Sequence, residues 1–151
     1  PLFEGLGRME LQQLARIVHE REYGDGEFIS REGRPGAALF ILRRGLVEVT
    51  RRDRDGADVT LATLEAPASF DEEAAIGAET IRWFSARAHG PVSVLALGKA
   101  DMGALSESYP AGANRVLMRL AGIMAARFQT FLGVLLVTEA LDAEEHEESK
   151  P

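Results

Sequence analysis

The chain has 151 residues, no cysteine, and 24 acidic against 17 basic side chains for a net charge of −7. That length fits one domain with a sizeable core. The missing cysteines exclude disulfides, thiolate metal sites and cysteine nucleophiles and fit a reducing cytoplasm, while the acidic balance argues against a nucleic-acid surface, which needs concentrated positive charge. The opening Pro1-Leu2-Phe3-Glu4-Gly5 has neither the basic start nor the apolar run of a signal peptide. From Arg8 to Val18, apolar Leu11, Leu14, Ala15, Ile17 and Val18 recur at helical spacing and predict a short amphipathic helix.

After this helix the period changes. Gly24, Gly26, Gly33, Pro35, Gly36, Gly45 and Gly56 punctuate short runs at 27–30, 38–42 and 46–50, with further runs at 59–64, 81–89 and 92–97. Short strands between glycine turns predict an antiparallel roll or sandwich over about 20–98. Arg54-Asp55-Gly56 supplies a hairpin, because Asp and Gly tolerate the positive φ of tight turns.

Past Gly98 the pattern returns to helix, first around Lys99–Leu105 and then from about Pro110 to Leu141, where proline at the start forfeits no needed hydrogen bond. Leu117, Ala121, Met124, Phe128, Phe131 and Leu135 form a heptad stripe beside a second one of Val116, Leu120 and Ile123. One stripe can cover the roll. The 117–135 stripe, about 28 Å long at 1.5 Å per residue, is then expected to pair with a second copy in a homodimer; the alternative is one wide face packed on the domain's own core. The most apolar stretch, 131–137, is far shorter than the roughly 18 to 20 residues of a membrane span, so no membrane partner is expected. The closing 142–151 carries Asp142, Glu144, Glu145, Glu147 and Glu148 and reads as a disordered, solvated tail. The domain proper is therefore 1–141.

The order of helix, glycine-punctuated mainly β roll, final strands and long C-terminal helix resembles the cyclic nucleotide-binding domain family. The opening 1–6 is similar to that family's lead-in, Tyr23-Gly24-Asp25-Gly26-Glu27-Phe28-Ile29 with Glu32-Gly33-Arg34-Pro35-Gly36 to its paired glycine turns, and 40–49 to the strand pair that follows. The resemblance implies an antiparallel, jelly-roll-like β-roll with a short N-terminal and a long C-terminal helix. It also implies a regulatory module, not an enzyme, with cAMP or cGMP as possible ligand and an unidentified protein partner.

The family's phosphate-binding cassette runs Phe-Gly-Glu, about ten residues, then Arg and small residues; here Phe70-Asp71-Glu72 is followed ten positions after the Glu by Arg82. A cyclic phosphate needs a guanidinium, free backbone N–H groups at a helix start and a carboxylate for the ribose hydroxyl. By resemblance, Arg82 holds the phosphate, Glu72 the ribose, the amides near Ala74 and Ala75 complete the cradle and Ser85 adds a hydroxyl. Three positions depart from the pattern. Asp71 and Pro67 replace glycines, and bulky Trp83 follows Arg82.

Two anions about 4 Å apart at an effective dielectric near 20 repel by roughly 4 kcal/mol, more than the roughly 1.5 to 3 kcal/mol of a hydrogen bond to a charged group. Asp71 is therefore compatible with a bound phosphate only if it adopts the glycine conformation and turns to solvent. Two alternatives remain: Glu72 and Arg82 are an intact ligand pair in a sensor, or they bond each other or the backbone in an empty roll that serves as a dimerisation or interaction scaffold.

Other chemistry lacks its parts. There is no Walker loop and no nucleophile elbow. His19, His89 and His146 are too scattered for a metal triad, and Glu65, Asp71, Glu72 and Glu73 have no accompanying nucleophile. With no helix-turn-helix after the long helix, the chain is not expected to bind DNA directly.

Overall fold

In a computed structural model, the structure describes residues 3, 5–76 and 81–148, with side chains through 133. The expected opening at Pro1, Leu2 and Glu4, the cassette stretch 77–80, the Leu135 side chain and residues 149–151 lie outside the described residues.

Helix α1 (Arg8–Ala15) leads into strands β1 (His19–Tyr23), β2 (Phe28–Ser30), β3 (Ala38–Arg52), β4 (Asp58–Glu65) and β5 (Ala68–Phe70). A short 3-10 helix (Glu72–Ala75), strand β6 (Ser85–Gly98) and helices α2 (Lys99–Ser108) and α3 (Pro110–Glu148) complete the chain. Mainly antiparallel β structure between an N-terminal and a long C-terminal helix is the architecture the sequence implies.

Two long strands organise the roll. β3 and β6 pair with each other from Ala38↔Gly98 to Thr50↔Ser85, and each divides its other edge between two partners. β6 takes β2 near Ala86 and Arg87 and β1 over Val92–Ala96; β3 takes β5 over Phe40–Leu42 and β4 over Leu46–Arg52. Where the partners change, the β3–β6 register shifts around Arg44. Gly45 sits there with φ 94°, and a Cβ on it would meet the carbonyl oxygen of Pro91 at 2.5 Å. The sequence split 38–42 from 46–50, and 81–89 from 92–97, at glycines. The structure corrects both: Gly45 and Gly90 lie within continuous strands, because positive φ serves a bulge as well as a turn.

Alternation along the strands builds two cores. Phe40, Leu42, Val47, Phe70, Val92 and Val94 are among the residues filling the roll interior. Leu39 and Leu97 point the other way, toward Leu14, Met102, Leu105, Val116 and Leu120 of the helices. The β3–β4 hairpin is held at Asp53, whose Oδ1 accepts from the N–H groups of Asp55 and Ala57 at 2.9 Å, while Gly56 takes φ 83°.

The long helix departs from expectation in extent and facing. Its backbone continues to Glu148 rather than stopping near Leu141. Leu117, at the head of the stripe expected to pair with a copy, packs against the domain's own core beside Val116 and Leu120, while Phe128 and Phe131 are 60% and 62% exposed. Glu10 of α1, almost fully buried, accepts from the N–H of Gly7 and from Arg115 of α3. Among the described residues no helix is long and apolar enough to cross a membrane.

Candidate ligand-binding site

β5 delivers the chain to the cassette through Phe70, whose ring stacks on Phe40 of β3 with centroids 5.3 Å apart. Phe70 is thus core. The next residue, Asp71, adopts φ 58° and ψ 34° and caps the 3-10 helix that begins at Glu72. Aspartate is among the few L-residues that tolerate this left-handed region, so it reproduces the backbone a glycine would take.

Its side chain goes elsewhere than expected. Asp71 does not face solvent: it is 1% exposed, and its Oδ2 accepts from Nε of Arg82 at 2.6 Å. The Arg82 guanidinium is itself nearly enclosed, and a buried cation costs far less paired than alone. Arg82 also donates from Nη1 to the carbonyl oxygen of Pro35 at 3.0 Å and lies over the Phe40 ring. Burial pushes the Asp71 carboxyl above its ordinary range; Glu73 pushes the same way, and the opposing pull of Arg82 and of the nearby Ser30 hydroxyl does not offset this.

Glu72 is 2% exposed. Its partner is neither Arg82 nor the backbone. Arg127 of α3 donates to Glu72 Oε2 from Nη1 at 2.6 Å and to the carbonyl oxygen of Ser69 from Nη2 at 2.5 Å. The sequence reading missed Arg127, although a signal was present: Val116, Leu120 and Ile123 step by four and three, and one further step of four reaches Arg127. That arginine therefore lies on the face turned to the roll, where it meets the Glu72 carboxylate. Three buried polar atoms in this region, Asp71 Oδ1, Glu72 Oε1 and Ser30 Oγ, have no hydrogen-bond partner among the described residues.

The remaining candidates divide. Ala74 and Ala75 are buried in the 3-10 helix, and the Ala74 N–H, expected to be free for a phosphate, donates to the Asp71 carbonyl oxygen at 3.1 Å. Trp83 is 71% exposed, with the Arg51 guanidinium 5.7 Å from its ring. The Ser85 hydroxyl accepts from the Glu32 N–H at 3.0 Å and lines a cavity of about 440 Å³ with Phe28, Arg31, Arg34 and Arg52. Among the described residues no three metal-ligating side chains converge.

A bent roll whose cassette presents a buried arginine and a buried glutamate beneath a long helix defines a class of ligand-responsive domain. The chain belongs to the cyclic nucleotide-binding domain family, whose model matches residues 20–109. It is 35% identical over 127 residues to glutaminase 1 of Bradyrhizobium diazoefficiens, covering 84% of this chain and 20% of that protein. It is 32% identical over 129 residues to the cyclic AMP receptor protein of Thermus thermophilus, covering 85% of this chain and 57% of the relative. The crystal structure of Thermus thermophilus catabolite activator protein superposes with a TM-score of 0.78 at 31% identity, over 91% of this chain and 63% of that one. The chain therefore spans a fifth to somewhat over half of these relatives' lengths.

Proposed function

We propose that the chain is a cyclic nucleotide-sensing regulatory module that takes cAMP or cGMP at Arg82 and Glu72 and passes the event to α3. The observation that carries this reading is the pair between Glu72 and Arg127, because it ties the ligand-facing cassette directly to the long helix. Arg82 retains guanidinium N–H groups beyond those given to Asp71 and Pro35, since the group carries five donors. Glu72 Oε1, buried and without a partner among the described residues, is an acceptor for a donor such as a ribose hydroxyl. A ligand hydroxyl on Oε1 shares the Glu72 carboxylate with Arg127 on Oε2 and weakens its hold on that arginine, and the helix responds in proportion to the difference in affinity between its two positions.

The module acts without catalysis, in the cytoplasm, as a homodimer joined along α3 through the exposed Phe128 and Phe131. Its output goes to a partner protein or to a further domain. A second reading, a roll kept as an interaction scaffold, is favoured by the Asp71 carboxylate already seated on Arg82. Calorimetric titration with cAMP and cGMP separates the two: micromolar or tighter binding that is lost in Arg82→Ala supports the sensor, and absence of heat with either nucleotide supports the scaffold.

A further inference from the structure

Asp71 brings a negative charge to the one guanidinium that the cassette offers a phosphate, and the pair is nearly sealed from water, with the Asp71 side chain fully buried and that of Arg82 10% exposed. The contact uses Nε of Arg82, and the Pro35 carbonyl uses Nη1. A phosphate approaching the remaining Nη donors therefore arrives beside the Asp71 carboxylate. Two anions then flank one cation in a site too dry to screen them.

We propose that Asp71 is a built-in counter-anion of Arg82 that makes phosphate binding proton-coupled, so that each cyclic nucleotide bound draws one proton from solvent onto Asp71. This rests on the cyclic nucleotide reading above. The proton has a place to go. Asp71 Oδ1 is buried and has no hydrogen-bond partner among the described residues, so it is the oxygen that can carry the proton. Once neutral, Asp71 no longer repels the phosphate and Arg82 is freed to serve it alone.

The surroundings favour that step. The groups facing Asp71 are Arg82 from the segment before β6, Ser30 from β2 and Glu73 from the 3-10 helix. Only Arg82 among them is cationic, and its charge is what the ligand takes over. Burial already holds the carboxyl above its ordinary range in the free protein, so uptake sets in at a higher pH than an exposed aspartate would show. The site thus tightens as pH falls, although the phosphodiester itself stays ionised.

The test is titration calorimetry of the full chain with cAMP and cGMP between pH 5 and pH 8. Each point is run in two buffers of different ionisation enthalpy, and Asp71→Gly and Asp71→Asn are compared with the parent. Glycine suits the left-handed backbone at this position and asparagine keeps the shape without the charge. The expected result is tightening that approaches tenfold per pH unit over the uptake range, with close to one proton taken up. In both variants the pH dependence disappears, and at pH 8 they bind at least about tenfold more tightly than the parent. Equal affinity in parent and variants with no proton uptake overturns the proposal while leaving the cyclic nucleotide reading intact. Absence of binding by all three proteins at every pH overturns both.

Discussion

The carboxylate of Glu72 and the guanidinium of Arg127 meet at 2.6 Å across 55 positions of sequence, joining the most buried acidic turn of the roll to the middle of α3. Glu72 is almost sealed, whereas the Arg127 side chain is half exposed. The pair is therefore asymmetric: the arginine gives up little hydration, and the glutamate depends on it.

Removing Arg127 should leave Glu72 buried without its counter-charge. Discounted for the exposure of the arginine, Arg127→Ala is expected to cost about 1 to 3 kcal/mol, lowering the thermal midpoint by about 3 to 10 °C. The double variant with Glu72→Gln should recover part of that loss, because no charge then remains buried at position 72. Thermal melts of the parent, the two single variants and the double variant measure the coupling; strictly additive losses would show that the contact carries no energy.

Arg82→Ala removes the only cation facing Asp71 among the described residues and should destabilise the domain by about 3 to 5 kcal/mol at neutral pH. The sign of the pH dependence follows from Asp71, whose folded carboxyl already titrates above its unfolded value. Such a group contributes stability that is fully present below the unfolded pKa and is lost as pH rises through the folded one. Without Arg82 the folded value rises further, so the variant's deficit should shrink on acidification from pH 7 to pH 4. Urea melts across that range check it, and a deficit that grew toward acid would contradict the assignment.

Gly45 and Gly26 both have positive φ, at 94° and 76°, but differ in surroundings. An added methyl at Gly45 meets the Pro91 carbonyl oxygen, whereas at Gly26 it meets nothing within 4 Å. Gly26→Ala should cost about 1 kcal/mol from backbone strain alone. Gly45→Ala should exceed about 2 kcal/mol, since two long strands must separate to admit it. Denaturant midpoints of the two variants give the comparison directly.

Phe128 and Phe131 stand exposed, three residues apart on α3, so pairing of two copies there predicts a dimer that Phe128→Glu breaks. Light scattering at high micromolar concentration should give the mass of two chains for the parent and of one for the variant. A monomeric parent ends the dimer proposal.

Much of the fold was legible because its signals are local. Asp55-Gly56 marks a hairpin by its own backbone chemistry, and the step from Gly98 into helical spacing marks the end of the roll. Gly45 misled for the same reason: its residue type reports positive φ, but only the partner strand at Pro91 distinguishes a bulge from a turn. In the site, resemblance to the family's cassette singled out Glu72 and Arg82, but it carried no information about their partners. Arg82 pairs with the neighbour of Glu72, and Glu72 pairs with an arginine on α3, because burial rather than proximity in sequence decides which charges meet. Ser85 illustrates the converse, a residue close to Arg82 in the chain whose hydroxyl serves a different loop.

Two buried glutamates, Glu10 and Glu72, hold arginines on the same helix, at Arg115 and Arg127. Twelve residues of helix place these grips about 18 Å apart, so α3 rests like a beam on two supports, one on α1 and one on the cassette. Freeing the Glu72 support alone turns the beam into a cantilever fixed at Arg115. The segment nearest Val116 and Leu120 then stays seated in the core, and displacement grows along the helix toward Phe128 and Phe131, where a small yielding at the cassette becomes a larger swing.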